Sequence, residues 1–158
     1  MLDELDLKIL SILQRNARTS NAEIARNVEL APSATLERIR KLEKLGILRG
    51  YRALMDPAAV GLGLLAFVFV KTAESVSEQC TGDRLAALPE VLEVHHVAGE
   101  DCYLAKVRAA STEALGKILR EKFGAISTVT ATQTTVVLDT VKEGGPLPLE
   151  EGLDDVRS

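Results

Sequence analysis

The chain has 158 residues, 46% of them hydrophobic and 27% charged, with 19 Lys/Arg against 23 Asp/Glu and a formal net charge of −4. That balance excludes a collagen-like or disordered bulk, and the length allows one ordinary domain or two small ones. The acidic start, MLDELDLKILS, and the lack of any apolar run near the roughly 20 residues a spanning helix needs argue against a signal peptide and a membrane span, so a cytoplasmic protein is expected.

The charge is unevenly spread. Residues 1–60 hold ten basic against eight acidic side chains, and residues 61–158 hold nine against fifteen. Within residues 15–52 the count is nine against four. A basic module near the N-terminus of an acidic chain is the asymmetry of a nucleic-acid reader joined to something else.

In chain order, Leu5, Ile9, Ile12 and Leu13 recur at helical spacing behind Asp3 and Glu4, which suit a helix start, and predict a helix to about Asn16. Ser20-Asn21-Ala22-Glu23 is an S-x-x-E capping box opening a short helix that ends near Val28. The turn Glu29-Leu30-Ala31 leads to Pro32, whose missing N–H costs nothing in a first helical turn. A third helix follows, with Leu36, Ile39, Leu42 and Leu45 inward and Gly46 as its stop. At about 100° per residue, Ser33, Glu37, Arg40, Lys41 and Lys44 fall on the opposite side, with Thr35 and Arg38 nearer its edges.

Three short helices, the last two joined by a tight turn, predict a helix-turn-helix over residues 1–50 whose third helix enters the major groove of double-stranded DNA. Arginines there can bond guanine edges bidentately, and flanking cations, with Arg15 and Arg18, neutralise phosphates. The candidate DNA-facing set is Arg18, Ser20, Ser33, Thr35, Glu37, Arg38, Arg40, Lys41 and Lys44.

Tyr51 to Gly61 reads as a linker, with the extended piece YRALMDP. LGLLAFVFVK, Leu62 to Lys71, is apolar at every step and predicts a strand buried on both faces. A helix from about Val76 to Leu88, two strands in VLEVHHVAGEDCYLAKVR joined at Gly99-Glu100-Asp101, a helix over Thr112–Phe123 and a strand over Ser127–Val141 complete a β-α-β-β-α-β order. The expected class is α+β: a winged-helix-like helix-turn-helix and, over residues 62–142, a ferredoxin-like unit with a four-stranded antiparallel sheet and both helices on one face. The doubly apolar first strand implies that a second subunit covers the other face. Thr128, Thr130, Thr132 and Thr134 line one side of the last strand by its period of two, and residues 143–158 read as a flexible acidic tail.

The order and spacing of LDELDLKILSILQRNARTSNAEIARNVELAPSATLERIRKLEKLGILRGYRALMDPAAVG, VLEVHHVAGEDCYLAKV and TQTTVVLDTVK resemble the Lrp/AsnC family of leucine-responsive, or feast/famine, regulators over residues 2–142. The resemblance implies a transcriptional regulator and not an enzyme. It implies homodimers formed through the sheet and assembled in fours into an octamer, and a small-molecule effector, an amino acid, held between dimers. The effector residues it implies are Gly99, Glu100, Asp101, Cys102 and Tyr103 with Thr132 and Thr134. A glycine turn can donate backbone N–H groups to a carboxylate, an acid can accept from the ammonium, and hydroxyls can complete the set. Cys102 stands where the family often has aspartate, so the ammonium contact falls to Asp101 or is absent. Ala31 stands where the family often has serine, a lost cap of about 0.5–2 kcal/mol.

Other signals carry less. Gly61-Leu62-Gly63-Leu64-Leu65-Ala66 fits G-x-G-x-x-A but opens a strand, not a helix. His95 and His96 are adjacent on a strand and point to opposite faces, so they cannot share a metal; no metal or cofactor is expected. Cys80 and Cys102 have no paired spacing and read as reduced thiols. The competing reading is a metabolite-binding or small catalytic βαββαβ protein whose N-terminal helices bind a protein partner, which leaves the basic third helix without a purpose.

Overall fold

The computed structural model describes residues 2–73, 80–99 and 102–149. The chain divides into two compact units, residues 1–54 with 142–158 and residues 55–141.

In the first unit, α1 (Glu4–Arg15), α2 (Asn21–Asn27) and α3 (Pro32–Lys44) follow the predicted order. Helix α1 opens on a reciprocal capping box: the Asp3 carboxylate accepts from the Asp6 N–H, and the Asp6 carboxylate accepts from the Asp3 N–H. Helix α2 opens on Ser20, whose hydroxyl oxygen accepts from the Glu23 N–H at 3.2 Å. Helix α3 starts at Pro32 behind Ala31, with no side-chain cap, as the residue types imply. Ile9, Leu13, Ile24, Val28, Ile39 and Leu42 form the core of this unit.

Helices α2 and α3 end alike. After α3, the Gly46 N–H donates to Glu43 O at 2.9 Å and the Ile47 N–H to Leu42 O at 3.0 Å, with Gly46 at φ +67°. This Schellman pair satisfies carbonyls the helix leaves open, and glycine reaches the left-handed region without a Cβ clash. After α2 the same pair forms from Glu29 to Arg26 O and from Leu30 to Ala25 O, but the left-handed residue is Glu29 at φ +55°. The tight turn between the two helices is therefore made by a non-glycine residue.

In the second unit, β1 (Leu64–Thr72), α4 (Cys80–Ala86), β2 (Val91–His96), β3 (Tyr103–Ala109), α5 (Thr112–Ile118) and β4 (Val129–Val136) give the predicted β-α-β-β-α-β order. Helix α5 continues as one π-helical turn, Leu119–Phe123. The predicted start of α4 at Val76 lies outside the described residues. Strand β4 is shorter than predicted, although Val137 still donates to Leu65 O.

The sheet is antiparallel with order β2-β3-β1-β4. Directly paired residues share a face, so Ala66, Val68, Val70, Tyr103, Ala105 and Val107 point together, and they form one buried cluster with Leu85, Leu115, Ile118 and Phe123 of the helices. Both helices thus cover one face. Each fully buried large side chain in such a cluster contributes about 1.5–3 kcal/mol. The opposite face carries Leu65, Phe67, Phe69 and Leu104, and the phenylalanines and Leu104 are only half-buried. Strand β1 is apolar on both sides, as its unbroken hydrophobic run predicts.

The chain beyond β4 differs in part from the free tail expected of its composition. Residues 143–149 have no regular structure, but Leu147 is hydrogen-bonded at both its N–H and its C=O to the Gln14 side chain of α1. Residues 150–158 lie outside the described part.

Candidate nucleic-acid interface and effector site

Helix α3 is held by one side and offers the other. Ile39 and Leu42 anchor it in the core, while Ser33, Glu37, Arg40, Lys41 and Lys44 are all exposed on the far side. The outward face carries three cations and one carboxylate. Arg18 and Ser20 are exposed ahead of α2, and Asn21 Nδ2 donates to Pro32 O at 2.8 Å, tying the start of α2 to the start of α3.

Two residues of the predicted DNA-facing set have other work. Thr35 is fully buried and its hydroxyl donates to Ala31 O at 3.2 Å, because at its angular position it points with Ile39 and Leu42. Arg38 turns toward α1, where its Nη1 donates at 2.7 Å to both Asp3 Oδ2 and Asp6 Oδ1. Asp6 is only 3% exposed, so this cation compensates a carboxylate that is largely cut off from water. The Asp6 N–H, and next the Arg38 guanidinium, hold the Asp3 carboxyl below its ordinary 3.8, and the two aspartates raise Arg38 in turn. Both Thr35 and Arg38 thus fix how α3 sits against the core and α1.

Two leucines predicted to face inward do not. Leu36 is 37% exposed and Leu45 61% exposed. Leu36 stands about 100° round the helix from Thr35, between the core and the cationic face. An apolar side chain there can meet a thymine methyl. Its angular offset from Ile39 and Leu42 is the sequence signal for this exposure. Arg49 and Arg52, exposed after α3, are further cations that the site prediction left out.

The two segments predicted to hold an effector each place one residue on a single row of the second unit. Val70 of β1 pairs with Tyr103 of β3 on one side and Thr132 of β4 on the other, and Tyr103 pairs with His96 of β2. Two strand spacings, about 10 Å, separate Tyr103 from Thr132. Val68 pairs with Thr134, so Thr132 and Thr134 share the helix-covered side of the sheet at its β4 edge, Thr132 exposed and Thr134 half-buried.

The predicted row of four threonines is cut to two. Thr72 pairs with Val129 and Lys71 with Ala131, which leaves Thr130 as the extra residue of a β-bulge, with its hydroxyl donating to Lys71 O. Thr128 precedes the strand and bonds instead to the Thr81 hydroxyl of α4 at 2.5 Å.

Tyr103 is 5% exposed; its ring stacks on His96 with centroids 5.1 Å apart. A Cβ at Gly82 of α4 would stand 2.8 Å from that ring, so glycine is what admits it. Tyr103 is thus a buried side chain packed under α4. The Cys102 N–H donates to Val70 O and its C=O accepts from the Val97 N–H, which commits that backbone to the sheet. Gly99, at φ +136°, has the left-handed backbone a turn needs. Glu100 and Asp101 lie outside the described residues. His95 pairs with Leu104 and His96 with Tyr103, on opposite faces as adjacent strand residues must be.

A basic helix-turn-helix is thus joined to a ferredoxin-like sheet with hydroxyls at one edge and an apolar open face. Family models match both parts: the AsnC-type helix-turn-helix domain over residues 2–43 and the Lrp/AsnC ligand binding domain over residues 65–147. The chain belongs to the Lrp/AsnC family.

Among its Lrp/AsnC relatives, the HTH-type transcriptional regulator FL11 of Pyrococcus horikoshii is 39% identical over 150 residues, covering 94% of this chain and 97% of that protein. The leucine-responsive regulatory protein of Haemophilus influenzae is 38% identical over 152 residues, covering 94% and 91%. A transcriptional regulator from Neisseria meningitidis, solved as a complex with L-Met, superposes with a TM-score of 0.87 at 34% identity, covering 95% of this chain and 98% of that one. Escherichia coli AsnC gives 0.83 at 28% identity, covering 92% and 98%. As a member of the Lrp/AsnC family this chain is a helix-turn-helix transcriptional regulator with a ligand-binding domain, and not an enzyme.

Proposed function

We propose that this regulator reads a specific double-stranded DNA site through the outward face of α3, with Arg40, Lys41 and Lys44 as its principal contacts, Ser33 and Glu37 beside them, and Arg18 and Ser20 on the flanking phosphates. The observation that carries this reading is the division of labour on α3: Thr35, Arg38, Ile39 and Leu42 fasten the helix, and every remaining polar side chain named here is exposed. A fastened helix presents its donors in one orientation, which bidentate base contacts require.

The protein acts in the cytoplasm as a homodimer built on the open sheet face, where Leu65, Phe67, Phe69 and Leu104 supply the apolar surface, and the dimers assemble in fours. A two-fold dimer places two copies of α3 on successive major-groove faces, about one helical turn or a multiple of it apart. An amino acid or related metabolite binds at the β4 edge, using the hydroxyls of Thr132 and Thr134 together with Gly99, Glu100 and Asp101. The relative solved with L-Met supports that ligand class. The effector changes DNA affinity by favouring one packing of the dimers over another.

The test is the double variant Arg40→Ala/Lys41→Ala, measured by anisotropy on operator DNA and by light scattering. Specific binding should vanish while the oligomer stays intact. Normal operator affinity in this variant would remove α3's outward face from the groove.

A further inference from the structure

We infer that the groove beside α1 is a docking site for the chain's own C-terminal segment, Gly144–Leu149, and that Gln14 is its clasp. The Gln14 Nε2 donates to Leu147 O at 2.8 Å and the Leu147 N–H donates to Gln14 Oε1 at 3.0 Å. One primary amide thus meets both polar groups of one residue, as a neighbouring strand would, across 133 positions of sequence.

The segment is suited to this. Leu147 lies between Pro146 and Pro148 in GGPLPLE. Proline removes a backbone donor and fixes its own φ, and it also confines the residue before it to extended conformations. Leu147 therefore carries the one N–H within that Pro-Leu-Pro run, in a backbone already close to its bound shape. Binding a preorganised segment sacrifices less chain entropy than ordering a free one.

The surface is suited as well. A cleft of about 610 Å³ runs along Leu2, Leu10 and Leu13 to Ile47 and Leu48, and Leu147 and Leu149 lie on its wall. Leu149 is half-buried there, whereas the Leu147 side chain stays 69% exposed. Leu147 is therefore held by its backbone and not by its side chain, which makes Gln14 the deciding contact.

The consequence is topological and rests on the effector reading above. The chain leaves the DNA-binding unit at Leu54 and returns to it at Lys142, six residues beyond the end of β4. With the segment clasped, the strand that bears Thr132 and Thr134 has a short covalent route of its own to α1, besides the route through residues 51–61.

Hydrogen exchange of the full-length protein tests the clasp without DNA or effector, so its failure is distinguishable from failure of the regulator's proposed sites. The Leu147 amide should exchange at least about tenfold more slowly than in an unstructured chain, and Gln14→Ala should bring it to within about twofold of that rate. Gln14 is exposed and alanine is a strong helix former, so α1 persists in the variant. Gln14→Glu keeps an acceptor for the N–H but sets a carboxylate against the Leu147 carbonyl, and should give intermediate protection. An unprotected Leu147 amide in the wild-type chain, or protection that survives Gln14→Ala, overturns the assignment.

Discussion

Arg38 shows how a residue placed on a helical wheel can hold a contact that the wheel does not reveal. Its angle, at the edge of the cationic face, is compatible with a DNA contact and with a neighbouring helix, and its partners within the folded chain are the carboxylates of Asp3 and Asp6. That pairing is tertiary, with more than 30 positions between partners, and no local pattern announces it. Arg38→Ala should destabilise the helix-turn-helix by about 1–3 kcal/mol, since it leaves the buried Asp6 without its cation; an unchanged melting temperature would show that the pair does not hold α1 to α3. The same contact has a pH signature. Asp3 titrates below its ordinary 3.8 when folded, so its contribution is present above that value and is lost as pH falls through the lower folded one. Glu90 and Glu93 are lowered in the same direction, chiefly by Lys122 and Lys106, so the test is a difference: Asp3→Asn should flatten the wild type's loss of thermal stability as pH falls below 3.8. Parallel acid limbs in the two proteins would contradict it.

Elements were legible where one period or one end signal governs them. Helices α1 to α3 follow from leucine and isoleucine spacing, Ser20, Pro32 and Gly46, and β1 follows from an unbroken apolar run. What could not be read was departure from a period. The bulge at Thr130 arises from how β4 pairs with β1, and it removes Thr128 and Thr130 from the face that Thr132 and Thr134 share. Tyr103 belongs to the same class: its place under α4 depends on the missing side chain of Gly82, far away in sequence. The shortened row sharpens the effector reading, because two of the four predicted hydroxyls remain on that face. Thr132→Val, which keeps shape and removes the hydroxyl, should weaken binding of the proposed amino-acid effector in calorimetry about threefold to tenfold with the fold unchanged. Equal affinities would show that this strand does not form the ligand wall.

For the whole molecule, an acidic total conceals two units of unlike chemistry. The first concentrates cations on a helix whose other side is fastened by a core and an ion pair; the second offers apolar area on one sheet face and hydroxyls at one edge. Both were visible as a change in charge along the chain, and the family resemblance supplied the connection between them. The return of residues 142–149 to the first unit was not visible, because a Gly/Pro-rich run reads as free chain unless its backbone partner, here Gln14, is known. The fastened, cationic α3 is proposed to read DNA by sequence. Fluorescence anisotropy of the full-length protein on the duplex upstream of its own gene, against a scrambled duplex, over a range of salt, tests it most directly. Selective binding that weakens steeply as salt rises, with the logarithmic slope set by the phosphates neutralised, is the predicted result. Equally weak binding of both duplexes at every salt concentration would contradict it.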